Sequence, residues 1–205
     1  MNRTVTRRHY KKAAVFGLLS LPAALLLYAL LAQSLGTNPV EKLTHETGKW
    51  ALICLCLSLA ATPLRQLLRW VWLMQYRRML GLFAFFYACL HLAVYWVFDQ
   101  SLSFIYLWDD IKDRPYITMG FSAWLILLPL AITSTLAWRK RLGKNWLRLH
   151  RLSYAAVLIA LLHYIWLIRA DYSEVYPFAI AIAVLLGHRL VKQLQHRLYR
   201  PTQKA

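Results

Sequence analysis

The sequence predicts an all-α integral membrane protein, a six-transmembrane-helix bundle with both termini cytoplasmic. Three observations lead there. Sixty per cent of the 205 residues are hydrophobic, only 16% are charged, and mean hydropathy is +0.42, an imbalance that water-soluble domains do not carry. The apolar residues come in six long blocks, each close to the roughly 20 residues that a helix needs to cross the hydrocarbon. Finally, the cations and the acids segregate to opposite ends of those blocks.

The first block, about 13 to 33, follows "NRTVTRRHYKK", which resembles the basic start of a signal peptide. The apolar stretch is longer than a signal core and no small-residue cleavage site follows it, so a retained helix is expected. "GTNPVEK" leads into the second block, 47 to 64, and "RQLLRWVWLMQYRR" separates it from the third, 79 to 98. The segment "DQSLSFIYLWDDIKDRP" reads as an exposed loop, either a partner-docking surface or a loop lying on the membrane. Blocks four (117 to 138), five (147 to 168) and six (175 to 191) are parted by "WRKRLGKN" and "RADYSE". Barrel strands are the poorer alternative, because they would alternate in polarity and be half as long. The expected organisation is a basic N-terminus (1–12), a transmembrane domain (13–191) and a basic cytoplasmic tail (192–205). Cys54, Cys56 and Cys89 fall within spans without a CxxC pair and are read as packing residues.

A net charge of +17 raises nucleic-acid binding, but the distribution removes it. With the N-terminus inside, 20 of the 25 Lys and Arg residues fall on inner segments and all eight acids fall outside. That is the positive-inside pattern, so the charge is read as topology and contact with membrane lipid, with no nucleic-acid partner.

Seven histidines remain to be placed. His9 and His196 are read as solvated, His45 as capping or interfacial, and His188 as reaching the headgroups. His91, on the third block, and His163, on the fifth, fall at one depth in the outer half of the membrane, on helices of the same direction. Gly81, Ala84 and Ala88 share a face with Arg77 and His91, and Ser153, Ala156 and Ala160 share one with His163. Such small residues serve close helix packing, or they leave room for a flat macrocycle. A pair of imidazoles suits axial ligation of haem iron; a proton relay and simple packing are the alternatives. His150 precedes His163 by 13 residues, roughly 20 Å nearer the cytoplasm and about 140° around a straight helix. The two can line one face only if the helix is distorted or His150, near its start, swings around.

Six segments carry a resemblance: "TNPVEKLTHETGKWAL", "TPLRQLL", "YRRMLGLFAFFYACLHLAVYW", "DDIKDRPYITMG", "PLAITSTLAWRKRLGKNWLRLHRLSY" and "LLHYIW". Over about residues 36 to 168 the chain resembles the MsrQ (YedZ) family, haem-binding membrane subunits of bacterial periplasmic methionine sulfoxide reductase systems. That family lies within the ferric reductase-like transmembrane group, whose core would cover about 45–168. The resemblance implies a bacterial inner-membrane protein holding haem b (one, or two) and FMN, with His91, His150 and His163 as the haem-binding, metal-ligating histidines. Its implied partner is a periplasmic molybdopterin methionine sulfoxide reductase subunit that repairs oxidised proteins.

Relatives with two stacked haems carry a second histidine 14 residues before the one matching His91. Arg77 stands there, so an inner haem would lack that ligand, or the space would hold flavin with Arg77 or Arg78 on its phosphate. The sequence as read shows no flavin and nicotinamide domain, so the expected electron donor is quinol or a separate cytoplasmic flavin reductase. The functional reading is an electron-transfer subunit that does not itself reduce the sulfoxide. Its rivals are a quinol-linked cytochrome b serving another periplasmic oxidoreductase, a proton-relay membrane transporter, and a purely structural anchor.

Overall fold

Proline and short polar side chains mark where the helices begin. The Asn38 side chain accepts a hydrogen bond from the backbone N–H of Glu41 and Pro39 opens the helix behind it. Pro115 opens another, and Ser103 and Thr135 cap two shorter ones through their hydroxyls. The structure is a computed structural model. It describes residues 3–168 and 171–198, without the side chains of residues 3–8, 196 and 197; the solvated role expected of His196, and the tail from 199 onward, lie outside it.

Nine α-helices follow in order among the described residues: α1 (Arg3–Leu31), α2 (Pro39–Leu67), α3 (Arg77–Val94), α4 (Phe104–Asp113), α5 (Pro115–Ile132), α6 (Leu136–Leu142), α7 (Lys144–His150), α8 (Leu152–Leu167) and α9 (Tyr176–Leu198). Six stretches are long and apolar enough to cross a membrane, the fifth formed by α7 and α8 together. Six crossings return the chain to the side on which it started. We call that side the terminal end and the other the far end.

Two expectations about the elements change, and a third feature is new. The fourth block stops at Ile132 instead of running to 138, and Thr135 starts a separate short helix. Pro129 has already removed one backbone donor from the last turns. The segment after Asp99 is not an open loop, because α4 fills most of it; Ile111 is buried while Phe104, Ile105 and Trp108 face outward. The third span ends in a widened turn, with the Gln100 N–H bonded to the Tyr95 carbonyl five residues back.

Packing divides the bundle into two helix pairs, α2 with α3 and α5 with α8. Leu52, Cys54, Leu59, Ala84, Tyr87, Ala156, Val157 and Ile182 make a buried core between them. Cys54 and Cys56 are buried there as expected of packing residues, whereas Cys89 accepts a hydrogen bond from the Trp124 indole at 3.3 Å.

Helix α1 meets this core at its edge, through Leu19, the one buried residue on its apolar length, with Val15 and Ala23 packed beside it. Tyr87 tethers it. The Tyr87 hydroxyl donates to the Leu19 carbonyl (2.7 Å) and accepts from the Ala23 N–H (3.2 Å). Those two groups would bond each other in an unbroken helix, so the phenol is inserted into the ladder beside Pro22. Tyr87→Phe leaves both backbone groups without this partner next to a fully buried ring. The expected cost is about 1–3 kcal/mol, read as faster hydrogen exchange at Ala23 and earlier unfolding of α1.

Candidate functional site

Each helix pair brings one histidine to the far end. His91 lies near the end of α3 and His163 near the end of α8, with ring centroids 6.0 Å apart and planes at 79°. His91 Nδ1 is 2.9 Å from the Thr44 carbonyl on α2, and His163 Nδ1 is 2.6 Å from the Tyr116 carbonyl on α5. A carbonyl only accepts, so in both rings Nδ1 carries the hydrogen. The neutral ring then presents Nε2 as a free lone pair, the arrangement in which a second hydrogen bond orients a metal-ligating imidazole.

The two half-sites are built alike. In each, a glycine follows the accepting carbonyl by four residues: Gly48 after Thr44, Gly120 after Tyr116. Side chains four apart share a helix face, and the imidazole occupies the space that a side chain there would fill. A Cβ on Gly48 would lie 3.0 Å from His91 Nδ1; one on Gly120 would lie 2.8 to 3.1 Å from three atoms of the His163 ring. Neither glycine was singled out in the sequence, where nothing shows that its helix neighbour is a histidine.

The histidines line a cavity of about 440 Å³. Gly48, Ala88, Gly120, Ala123 and Ala160 keep its walls shallow, and Leu107 and Ile111 of α4 also line it. The small residues therefore divide: Ala84 and Ala156 are fully buried in the core and Gly81 faces Ser58, whereas Ala88 and Ala160 border open space. Glu41, His45, Lys49, Asp99 and Arg114 bring polar groups to the same cavity.

Two networks fasten this end. Tyr95 donates to Asp110, Gln100 donates to both, and Arg114 pairs with Asp110 at 3.3 Å. Lys49 bridges Glu46 (3.3 Å) and Glu174 (3.0 Å), and Tyr164 donates to Glu174. The Lys49 ammonium, through its hydrogen bond and charge, holds the Glu174 carboxyl below its ordinary value of 4.5. A depressed carboxylate stabilises the fold above its unfolded value and loses that contribution as pH falls through the folded one. Glu174 is mostly exposed, so the expected loss in acid is about 0.5 kcal/mol or less, and Glu174→Gln is expected to flatten it in a pH series of thermal melts.

At the terminal end, His150 is placed differently. Its Nε2 is 3.1 Å from Thr133 Oγ1, whose own hydrogen goes to the Pro129 carbonyl at 2.6 Å. Nε2 must therefore donate, and it is spent on the protein. Trp146 stacks on the ring at 4.0 Å. The helix is interrupted at Arg151, between α7 and α8, yet His150 remains at the other end of the span from His163. Arg77 is half-buried and Arg78 is exposed. The structure thus brings His91 and His163 together and leaves His150, Arg77 and Arg78 apart from them.

Among the described residues no group of three or more His, Cys, Asp or Glu side chains could hold a metal ion. Two imidazoles are too few for a bare transition metal. They are the number required by a metal that arrives in a macrocycle supplying four nitrogens of its own. The shallow apolar walls fit such a flat group, so the donor set and the cavity agree.

A six-span bundle with two tethered imidazoles lining one cavity defines a multi-pass membrane protein. Residues 47–161 match the family described as "Ferric reductase like transmembrane component". The chain is 49% identical over 166 residues (81% of it, 76% of the relative) to the "Protein-methionine-sulfoxide reductase heme-binding subunit MsrQ" of Xanthomonas axonopodis pv. citri. It is 46% identical over 189 residues (91% and 87%) to the protein of that name from Herminiimonas arsenicoxydans. No solved structure matches. The chain belongs to the ferric reductase-like transmembrane family and, within it, to the MsrQ group, multi-pass proteins of the bacterial inner membrane.

Proposed function

We propose that the chain is a membrane b-type cytochrome that passes electrons across the bilayer to a periplasmic methionine sulfoxide reductase, which repairs oxidised proteins. The observation that carries this is the pair of rings, His91 and His163, each with Nδ1 donating to a helix carbonyl and Nε2 free. The relatives' shared name, heme-binding subunit of a protein-methionine-sulfoxide reductase, supports both cofactor and partner.

His91 and His163 would hold the haem iron in this reading. Haem bound between two imidazoles supplies a one-electron carrier. Thr44 and Tyr116 fix the ring orientations through their carbonyls, Gly48 and Gly120 make room for the rings, and the apolar walls exclude water. Lys49 and Arg114 are cations bordering the cavity, held there by Glu46, Glu174 and Asp110. A proton relay is the poorer reading, because each Nδ1 hydrogen is held by a carbonyl that cannot pass it on.

The terminal end lies in the cytoplasm in this reading, since the acids gather at the far end and most cations at the terminal one. Electrons enter there from quinol or from a cytoplasmic flavin reductase. His150, with Nε2 committed to Thr133, is assigned as neighbour to an FMN whose phosphate meets Arg77 or Arg78. That leaves one haem, at the far end.

The test is the dithionite-reduced minus oxidised spectrum of the purified protein with haem quantified per polypeptide. It is followed by reoxidation with the periplasmic partner and methionine sulfoxide. A b-type band that is discharged only when both are present is the expected result. A folded but colourless protein from haem-replete cells rejects the reading.

A further inference from the structure

Well away from the histidine pair, a cation sits inside the terminal half of the bundle with no acid near it. Arg189, on α9, donates from Nη2 to the Leu59 carbonyl of α2 at 2.5 Å and lies 4.7 Å over the Tyr154 ring. Its Nη1 is shut off from solvent with no acceptor. His188 was expected to reach the headgroups, but both of its ring nitrogens are buried without partners, as is Thr62 Oγ1, one turn beyond Leu59. Four of the five such atoms among the described residues therefore fall on α2 and α9 at one level. The fifth, Trp96 Nε1, is at the far end.

Ser58, one residue before the Leu59 whose carbonyl takes Arg189, donates from Oγ to the Arg77 carbonyl at 3.1 Å, so a second cation starts its helix in the same region. All eight carboxylates of the chain lie at positions 41, 46, 99, 109, 110, 113, 171 and 174, on or next to the far ends of the helices. A guanidinium does not give up its proton, and an intramembrane cation without an anion marks a site for one. Simple snorkelling would put the head group in water, whereas Nη1 is enclosed.

We propose that Arg189, with Arg77, His188 and Thr62 beside it, binds a phosphate group at the terminal end of the α2/α9 seam. A phosphate offers several acceptor oxygens to a fork of donors that one carbonyl only half occupies. The group belongs to a phospholipid headgroup or to flavin mononucleotide. A phospholipid there goes beyond the proposed function, whereas flavin mononucleotide there rests on it and extends the phosphate contact from Arg77 to Arg189; neither depends on haem.

The experiment compares the full-length protein with Arg189→Gln and Arg189→Lys after exhaustive exchange into a phosphorus-free detergent. Total phosphorus per polypeptide is measured; the organic extract is then assayed for phospholipid and the aqueous extract for flavin fluorescence. Wild type is expected to retain a stoichiometric phosphate compound in one extract, and Arg189→Gln to lose it by roughly tenfold or more with helical circular dichroism unchanged. If Arg189→Gln does not fold, Arg189→Lys, which keeps the charge but not the fork, is expected to retain several-fold less. Wild type without stoichiometric phosphate, or a folded variant that retains as much as wild type, overturns the proposal. Loss of haem with phosphate still bound counts against the cytochrome reading alone.

Discussion

His91→Ala and His163→Ala are each expected to remove the b-type band of the purified protein, whereas His150→Ala is expected to leave most of it. The two far-end rings line the same cavity, each with Nδ1 tied back to a helix carbonyl, so losing either removes one of the two nitrogens that would hold the iron. His150 gives its Nε2 hydrogen to Thr133 at the other end of the span and has no part in that site. Haem per polypeptide and the reduced-minus-oxidised spectrum read the difference. A His150 variant that loses the far-end band while His91→Ala keeps it would reverse the assignment. Helical circular dichroism separates ligand loss from misfolding.

Gly120→Ala is the smallest change with a comparable expected effect. Its methyl group would sit 2.8 to 3.1 Å from three atoms of the His163 ring. The ring is pinned by the bond from Nδ1 to the Tyr116 carbonyl at 2.6 Å, so yielding means breaking that bond and turning Nε2 away from the cavity. Overpacking of this kind costs about 1–3 kcal/mol, or roughly a 5- to 150-fold fall in haem affinity at 1.4 kcal/mol per tenfold. Gly48→Ala is expected to act less strongly, since its nearest ring atom is at 3.0 Å and only two ring atoms lie within 3.1 Å. Haem dissociation to an acceptor protein measures both. Unchanged release from Gly120→Ala would show that the His163 orientation does not govern binding.

Six spans were legible because each needs about 20 apolar residues whatever its neighbours are. The depth of His91 and His163 was legible for a related reason, since position along a helix is set by residue count alone. Helix α4 was not foreseen, because its outward aromatic face and its inward Leu107 and Ile111 make sense only against the bundle. His188 was expected in the headgroup layer on the strength of its neighbour Arg189, but both its ring nitrogens are buried and the Arg189 fork reaches inward to α2.

By itself the sequence determined the class, the number of crossings and which histidines share a level, since these follow from hydrophobic length and rise per residue. Only the tertiary structure decided the rest: that α2 lends a carbonyl to His91 and α5 to His163, that Gly48 and Gly120 clear the space for the rings, and that Arg189 faces no acid. Each of these is a relation between residues far apart in the chain, and contact between helices depends on rotation and pairing, which neither hydropathy nor spacing encodes.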